Sequence, residues 1–145
     1  MNILITGSNG FLCQKLILKL LSKSYTIIGI DKNKNILKKN KNFIFFKCDI
    51  SNKTKLLKIF NSLNKKIDLI IHAAAFQPLT QEQDLEKMIN INTVSSTNIL
   101  LMCQLFTIKN LIYTSSFSIY GKQKKLPIRE NAKKNQQNFY GLSKL

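Results

Sequence analysis

The chain contains no apolar run approaching the roughly 18 residues that a membrane-spanning helix needs, so no span is expected. Its start, Met1-Asn2-Ile3-Leu4, lacks the basic opening and small-residue cleavage site of a secretory leader and reads instead as the beginning of a strand. Paired cysteines are missing too. Cys13, Cys48 and Cys103 are scattered and odd in number, which argues against a disulfide framework and against Cys-x-x-Cys metal spacing. A reducing cytoplasm suits them, and no metal site is expected. Arginine is all but absent: Arg129 is the single one among 23 Lys and Arg, against 7 Asp and Glu. The net charge of +16 would suit a polyanion. Specific readers of nucleic acid, however, rely on the arginine fork. The lysines here are spread along the chain among Asn and Ile rather than packed in one stripe. They read as a solvated coat, and neither nucleic acid nor a membrane is expected as a partner.

What is present is enough apolar material for a core. Hydrophobic residues make up 44% of 145 residues, which excludes disorder and fits one domain over residues 1–145. Residues 2–6 form an apolar, partly β-branched run bounded by Gly7, a buried strand. Phe11, Leu12, Leu16, Ile17, Leu20 and Leu21 then recur at helical spacing. Residues 25–30 give a second strand ending at Asp31, and residues 32–41 a short helix or loop. Residues 43–46 give a third strand ending at Cys48-Asp49. Leu56, Leu57, Phe60 and Leu63 mark another amphipathic helix. Residues 67–72 form a fourth strand running into Ala73-Ala74-Ala75. A long helix is predicted from about Gln83 to about Phe106, with Leu85, Met88, Ile89, Ile99, Leu100 and Cys103 facing inward. Residues 110–114 give a fifth strand and residues 121–138 a loop. A last helix starts near Asn138. Strands that are apolar on both faces and alternate with helices predict an α/β fold, a doubly wound parallel sheet of the Rossmann type with strand order 3-2-1-4-5.

In such a sheet a ligand sits at the carboxyl ends of the strands. There the sequence places Gly7-Ser8-Asn9-Gly10-Phe11-Leu12, between a strand and a helix. Gly7 permits a tight turn, and the absent side chain at Gly10 lets backbone N–H groups approach a pyrophosphate at the positive end of the helix. Asp31 follows at about the 20-residue distance at which a carboxylate accepts from the ribose 2′-hydroxyl. It would repel a 2′-phosphate, so the expectation is NAD rather than NADP, tempered by Lys32 and Lys34 nearby. A third glycine is expected where Cys13 stands, and the extra atoms there predict overpacking of about 1 kcal/mol.

The chain's last residues hold Tyr140-x-x-x-Lys144, a spacing that puts both side chains on one helix face. A neighbouring ammonium favours the phenolate and lowers a phenol's pKa. The end of the fifth strand, Tyr113-Thr114-Ser115-Ser116-Phe117-Ser118-Ile119-Tyr120-Gly121, offers a serine to orient a substrate hydroxyl.

These motifs in this order resemble the NAD-dependent epimerase/dehydratase family, the extended short-chain dehydrogenase/reductases, over Met1 to Leu145. The motifs are Thr6-Gly7-x-x-Gly10-Phe11-Leu12, Asp31, Asp49-Ile50, His72-Ala73-Ala74-Ala75, Asn92 with Asn98, Ser115-Ser116 through Tyr120-Gly121, and Tyr140-x-x-x-Lys144. The resemblance implies Ser116, Tyr140 and Lys144 as catalytic residues. It implies Gly7, Asn9, Gly10, Phe11, Leu12, Asp31, Asp49, Ile50, Ala73 and Ala74 as the cofactor groove, together with Tyr140 and Lys144. Tyr140 would act as general base or acid, and Lys144 would hold the nicotinamide ribose. Asp49 would bond the adenine amino group. His72 reads as a satisfied strand-end histidine.

The implied cofactor is NAD, and the implied substrate class is a nucleotide sugar oxidised by Tyr-assisted hydride removal. Phe117 and Ser118 stand where the 4,6-dehydratases carry Asp-Glu. That leaves a 4-epimerase, a related sugar-modifying enzyme or a dehydrogenase. Ser95-Ser96 replace a usual Gly-Thr. Family members continue into a substrate-binding part that lies beyond this chain, and in full length they often form homodimers. Without that part the last helix is expected to fray and to hold Tyr140 and Lys144 poorly. The alternative is a module that holds NAD without turnover, or a decayed remnant of such an enzyme.

Overall fold

A computed structural model describes residues 1–77 and 85–145. Five strands form one parallel sheet: β1 (Asn2–Thr6), β2 (Thr26–Asp31), β3 (Phe43–Lys47), β4 (Leu69–His72) and β5 (Leu111–Tyr113). Their spatial order is β3-β2-β1-β4-β5, the doubly wound order that the alternating pattern predicts. β1 is central, with Ile5 opposite Gly29 of β2 and Ile71 of β4. The order reverses between β1 and β4, and the crevice opens above their carboxyl ends.

Side chains on successive residues alternate between the two sheet faces, and both faces are apolar here. Leu4, Ile28, Ile30 and Ile70 pack on one side with Leu56, Ile59 and Phe60 of α2 (Lys53–Ser62) and Ile99 and Met102 of α4 (Ser95–Leu105). Ile3, Ile5, Ile27 and Ile71 pack on the other with Cys13 and Ile17 of α1 (Phe11–Ser22). Burial on both faces explains why the strands read as unbroken apolar runs. Asn52 caps α2 by accepting the Lys55 N–H.

Three details differ from the periodicity reading. Phe11, 81% exposed, and Leu12, 66% exposed, lie at the first turn of α1. The buried stripe of that helix runs through Cys13 and Ile17 instead. The long helix is composite: α3 (Leu85–Met88), a π-helical segment (Ile89–Val94) and α4 follow one another. Its proposed start near Gln83 lies outside the described residues. Leu85, Ile89 and Leu100 are exposed, whereas the buried positions are Met88, Asn92, Ser95, Asn98, Ile99 and Met102. Half of that inward face is polar, so a search for apolar spacing set the wrong phase. Finally, a short 3-10 turn (Phe117–Ile119) follows β5 before the chain reaches the last helix, α5 (Phe139–Ser143).

Candidate functional site

The glycine turn is shaped by two constraints. Gly7 has φ +69, and a Cβ there would lie 2.8 Å from both Cα and N of Ala74. Only glycine satisfies that conformation and that closeness to the loop after β4. Gly10 stands at the N-cap of α1 and supplies no side-chain cap, so the first turn of the helix presents its backbone donors outward.

Around this turn a groove is lined by Gly7, Asn9, Gly10, Asp31, Asp49 and Ile50 on one side and by Ala73, Ala74, Ala75 and Phe76 on the other. Eight of the residues expected to hold a cofactor therefore share one surface: Gly7, Asn9, Gly10, Asp31, Asp49, Ile50, Ala73 and Ala74. Asp31 is braced there. One carboxylate oxygen accepts the Asn9 N–H at 3.0 Å and the other accepts the Asn33 N–H at 2.9 Å. Each oxygen keeps a further lone pair for a ligand hydroxyl. The Asn9 amide nitrogen donates to the Lys34 carbonyl at 2.8 Å, which ties the loop after β2 to the turn. The Asn9 side-chain oxygen is buried without a partner. One Asp49 oxygen accepts from the Ser51 N–H and hydroxyl at 3.0 and 2.7 Å.

Ser116, Tyr140 and Lys144 lie outside the lining of this groove, as do Phe11 and Leu12. Ser116 caps the 3-10 turn by accepting the Ser118 N–H at 3.2 Å. A Cβ on Gly141 would lie 2.6 Å from the Ser118 carbonyl oxygen, so the glycine beside Tyr140 lets α5 press directly on that turn. Asn138 caps α5 by accepting the Gly141 N–H at 2.7 Å. The Ser115 hydroxyl donates to the Lys144 carbonyl at 2.8 Å, and the Tyr113 hydroxyl to the Ser143 carbonyl at 3.4 Å.

Lys144 is thus packed rather than loosely held. It is 2% exposed, and its ammonium lies 4.3 Å from the Tyr113 ring centroid. Burial lowers its pKa to about 8. Tyr140 is half-buried, and its carbonyl accepts the Ser143 hydroxyl at 2.8 Å.

His72 lies at the base of this corner, bonded at both ring nitrogens: Nδ1 to Thr6 Oγ1 at 2.6 Å and Nε2 to Ser96 Oγ at 2.9 Å. Ser96 Oγ gives its hydrogen to the Asn92 carbonyl. It therefore accepts from Nε2–H, and Nδ1 accepts from Thr6. Burial, and then the charge of Lys144, lower the His72 pKa to about 4. The ring is neutral and satisfied, as a strand-end histidine should be.

Pattern reading underweighted Asn92 and Asn98. Both are buried. Asn98 donates to the Ile50 and Ser51 carbonyls, each at 2.9 Å, and so ties α4 to the loop after β3, where Ile50 lines the groove. The family resemblance included them as a motif, but without a structural role. Ser95, which stands where a glycine is usual, turns its hydroxyl back to the Asn90 carbonyl at 3.1 Å and leaves no polar atom astray. Cys13 fits beneath the turn at 2% exposure. All three cysteines are free thiols. Among the described residues there is no cluster of His, Cys, Asp and Glu able to hold a metal. No described helix is long and apolar enough to cross a membrane.

A parallel sheet with a glycine turn, a braced acid and small residues at the tops of β1, β2 and β4 defines a dinucleotide-binding fold of the Rossmann type. The orphaned Asn9 oxygen and the uncapped start of α1 fit such a ligand. The sequence matches the NAD dependent epimerase/dehydratase family over residues 3–145, and the chain belongs to that family. It is 31% identical over 165 residues to a UDP-glucose 4-epimerase of Caenorhabditis elegans, covering 99% of this chain and 46% of the relative. It is 32% identical over 152 residues to a putative UDP-glucose 4-epimerase of Methanocaldococcus jannaschii, covering 98% and 47%.

Among solved structures, the Bordetella bronchiseptica enzyme WbmG in complex with NAD superposes with a TM-score of 0.89 at 24% identity, covering 99% of this chain and 46% of that one. The UDP-glucose 4-epimerase of Bifidobacterium longum in complex with NAD+ and UDP superposes at 0.86 and 25% identity, covering 99% and 46%. The chain spans a little under half the length of these relatives.

Proposed function

We propose that this chain is the cofactor-binding part of an NAD-dependent nucleotide-sugar epimerase or dehydrogenase. The observation that carries the reading is one groove holding Gly7, Asp31, Asp49, Ala73 and Ala74. Beyond it, a 3-10 turn capped by Ser116 packs against the helix bearing Tyr140 and Lys144. NAD, when bound, supplies the acceptor for a hydride from a sugar carbon. Gly7, Gly10 and the N–H groups of Phe11 and Leu12 bind its pyrophosphate. Asp31 accepts from the adenosine ribose and selects NAD over NADP, and Asp49 takes the adenine amino group.

The Ser116 hydroxyl orients the hydroxyl of the reacting carbon. Tyr140 is the general base that takes that hydroxyl's proton and the acid that returns it when the reaction reverses. The Lys144 ammonium holds the nicotinamide ribose. A UDP-hexose is the first substrate to try, because several relatives are UDP-glucose 4-epimerases. Hydride transfer is tested with the longest form of the protein containing this chain, incubated with NAD and a panel of UDP- and dTDP-sugars. Epimerised or oxidised sugar supports the reading. A folded protein that converts none of them defeats it.

A further inference from the structure

Lys144 joins a flexible stem to a buried charge. A lysine side chain carries its ammonium on a four-carbon stem that turns freely, yet this residue is 2% exposed. A buried ammonium needs a favourable partner. Among the described residues no carboxylate pairs with it, and burial is the cause of its lowered pKa. The Ser115 hydroxyl fixes only the Lys144 backbone, through the carbonyl oxygen. Lys144 also stands at the C-cap of α5, a helix of 5 residues, so no further helical turn braces the stem.

What the ammonium meets is a ring. Its nitrogen lies 4.3 Å from the Tyr113 centroid, inside the roughly 6 Å within which an aromatic face attracts a cation, and exclusion of water strengthens that attraction. Tyr113 is itself held. It ends β5 in register with His72 of β4, and the two rings lie 5.6 Å apart with a 34° tilt. Its hydroxyl donates to the Ser143 carbonyl at 3.4 Å. The titratable groups about the ammonium stay neutral while it titrates. Burial, and then the Lys144 charge, lower the His72 pKa to about 4, and burial raises the Tyr113 pKa. Tyr113 therefore offers a neutral face rather than a tyrosinate.

We propose that Tyr113 is a positioning residue whose ring face fixes the Lys144 ammonium at the corner between β5 and α5. Without that face the buried cation has no partner, and the stem turns towards water. The seat stands on the geometry alone. Its kinetic consequence rests on the functional reading above, in which the ammonium must meet the nicotinamide ribose.

The test weakens the ring face while keeping its shape. Tyr113→Phe retains the face, phenylalanines bearing one, two and three fluorines at position 113 weaken it in steps, and Tyr113→Leu removes it. NMR of the 145-residue chain follows the Lys144 ε-methylene signal, recognised by its loss in Lys144→Arg. That signal should be shifted upfield by the ring in the wild type and in Tyr113→Phe, and should titrate near pH 8 in the wild type. Because the face favours the charged form, fluorination should lower the midpoint stepwise, by about one pH unit across the series. With NAD and a sugar that it converts, the longest form of the protein should lose kcat roughly threefold to thirtyfold in Tyr113→Leu. KM for the sugar should move less than about twofold, and Tyr113→Phe should recover kcat. If Tyr113→Leu fails to fold, the trifluorinated ring takes its place in the kinetics. A wild-type signal without the upfield shift, or a midpoint indifferent to fluorination, overturns the seat. Full kcat in a folded protein without the face overturns the positioning role. If the wild type transfers no hydride, the functional reading falls by itself and the NMR titration decides.

Discussion

Acid should weaken this fold through one residue. His72 is buried between Thr6 and Ser96 and faces the Lys144 charge, and its pKa falls from 6.5 to about 4. As the pH drops below 6.5 the unfolded chain takes up a proton that the native ring refuses, so stability is present above 6.5 and is lost as the pH falls towards 4. At about 1.4 kcal/mol for each pH unit, that window corresponds to about 3 kcal/mol, a large part of the roughly 5–15 kcal/mol by which a domain is stable. Protonation also forces Thr6 Oγ1 to abandon its donation to Nδ1. His72 is the single histidine of the chain, so its ring protons are identified in an NMR spectrum without assignment. The native signals should hold their neutral positions down to about pH 5. Urea unfolding from pH 7 to 4 should show a steeper loss in the wild type than in His72→Gln. A native midpoint near 6.5, or parallel loss in both proteins, refutes the reasoning.

Gly7→Ala places a methyl 2.8 Å from the Ala74 backbone at φ +69. It should cost on the order of 1–3 kcal/mol in urea unfolding and abolish NAD binding in calorimetry. Asp31→Asn should weaken NAD and improve NADP, narrowing their affinity ratio about tenfold by the loss of one charge-assisted hydrogen bond and of the charge itself. Tyr140→Phe should lower kcat roughly a hundredfold to ten-thousandfold with NAD affinity unchanged in calorimetry. Lys144→Met removes the second cause of the low His72 pKa, so the His72 NMR midpoint should move upward.

The sheet was legible because each strand is buried on both faces, so Ile3 to Ile5, Ile27 to Ile30 and Ile70-Ile71 read as apolar runs between turn residues. Handed connections then limit the order of the strands. The groove was legible because its chemistry needs particular residues at particular strand ends: Gly7 for a left-handed turn, Asp31 after β2, and alanines after β4. The phase of the long helix was not, because Asn92, Ser95 and Asn98 occupy its inward face and the π-helical segment interrupts its period. Phe11 and Leu12 were misplaced for a related reason. They fall off the buried stripe of α1, which runs through Cys13 and Ile17. The seat of Lys144 over Tyr113, and the Thr6–His72–Ser96–Asn92 chain beneath it, depend on contacts between segments far apart in sequence, which no local pattern encodes.

The central claim is that a dinucleotide lies over the glycine turn, across the ends of β1 and β4. The most direct measurement is NMR shift mapping of backbone amides during titration with NAD. The account predicts saturable shifts concentrated at Gly7 to Leu12, Asp31 to Asn33 and Ala73 to Phe76. A folded protein whose amides stay still at saturating NAD, or respond only elsewhere, contradicts it.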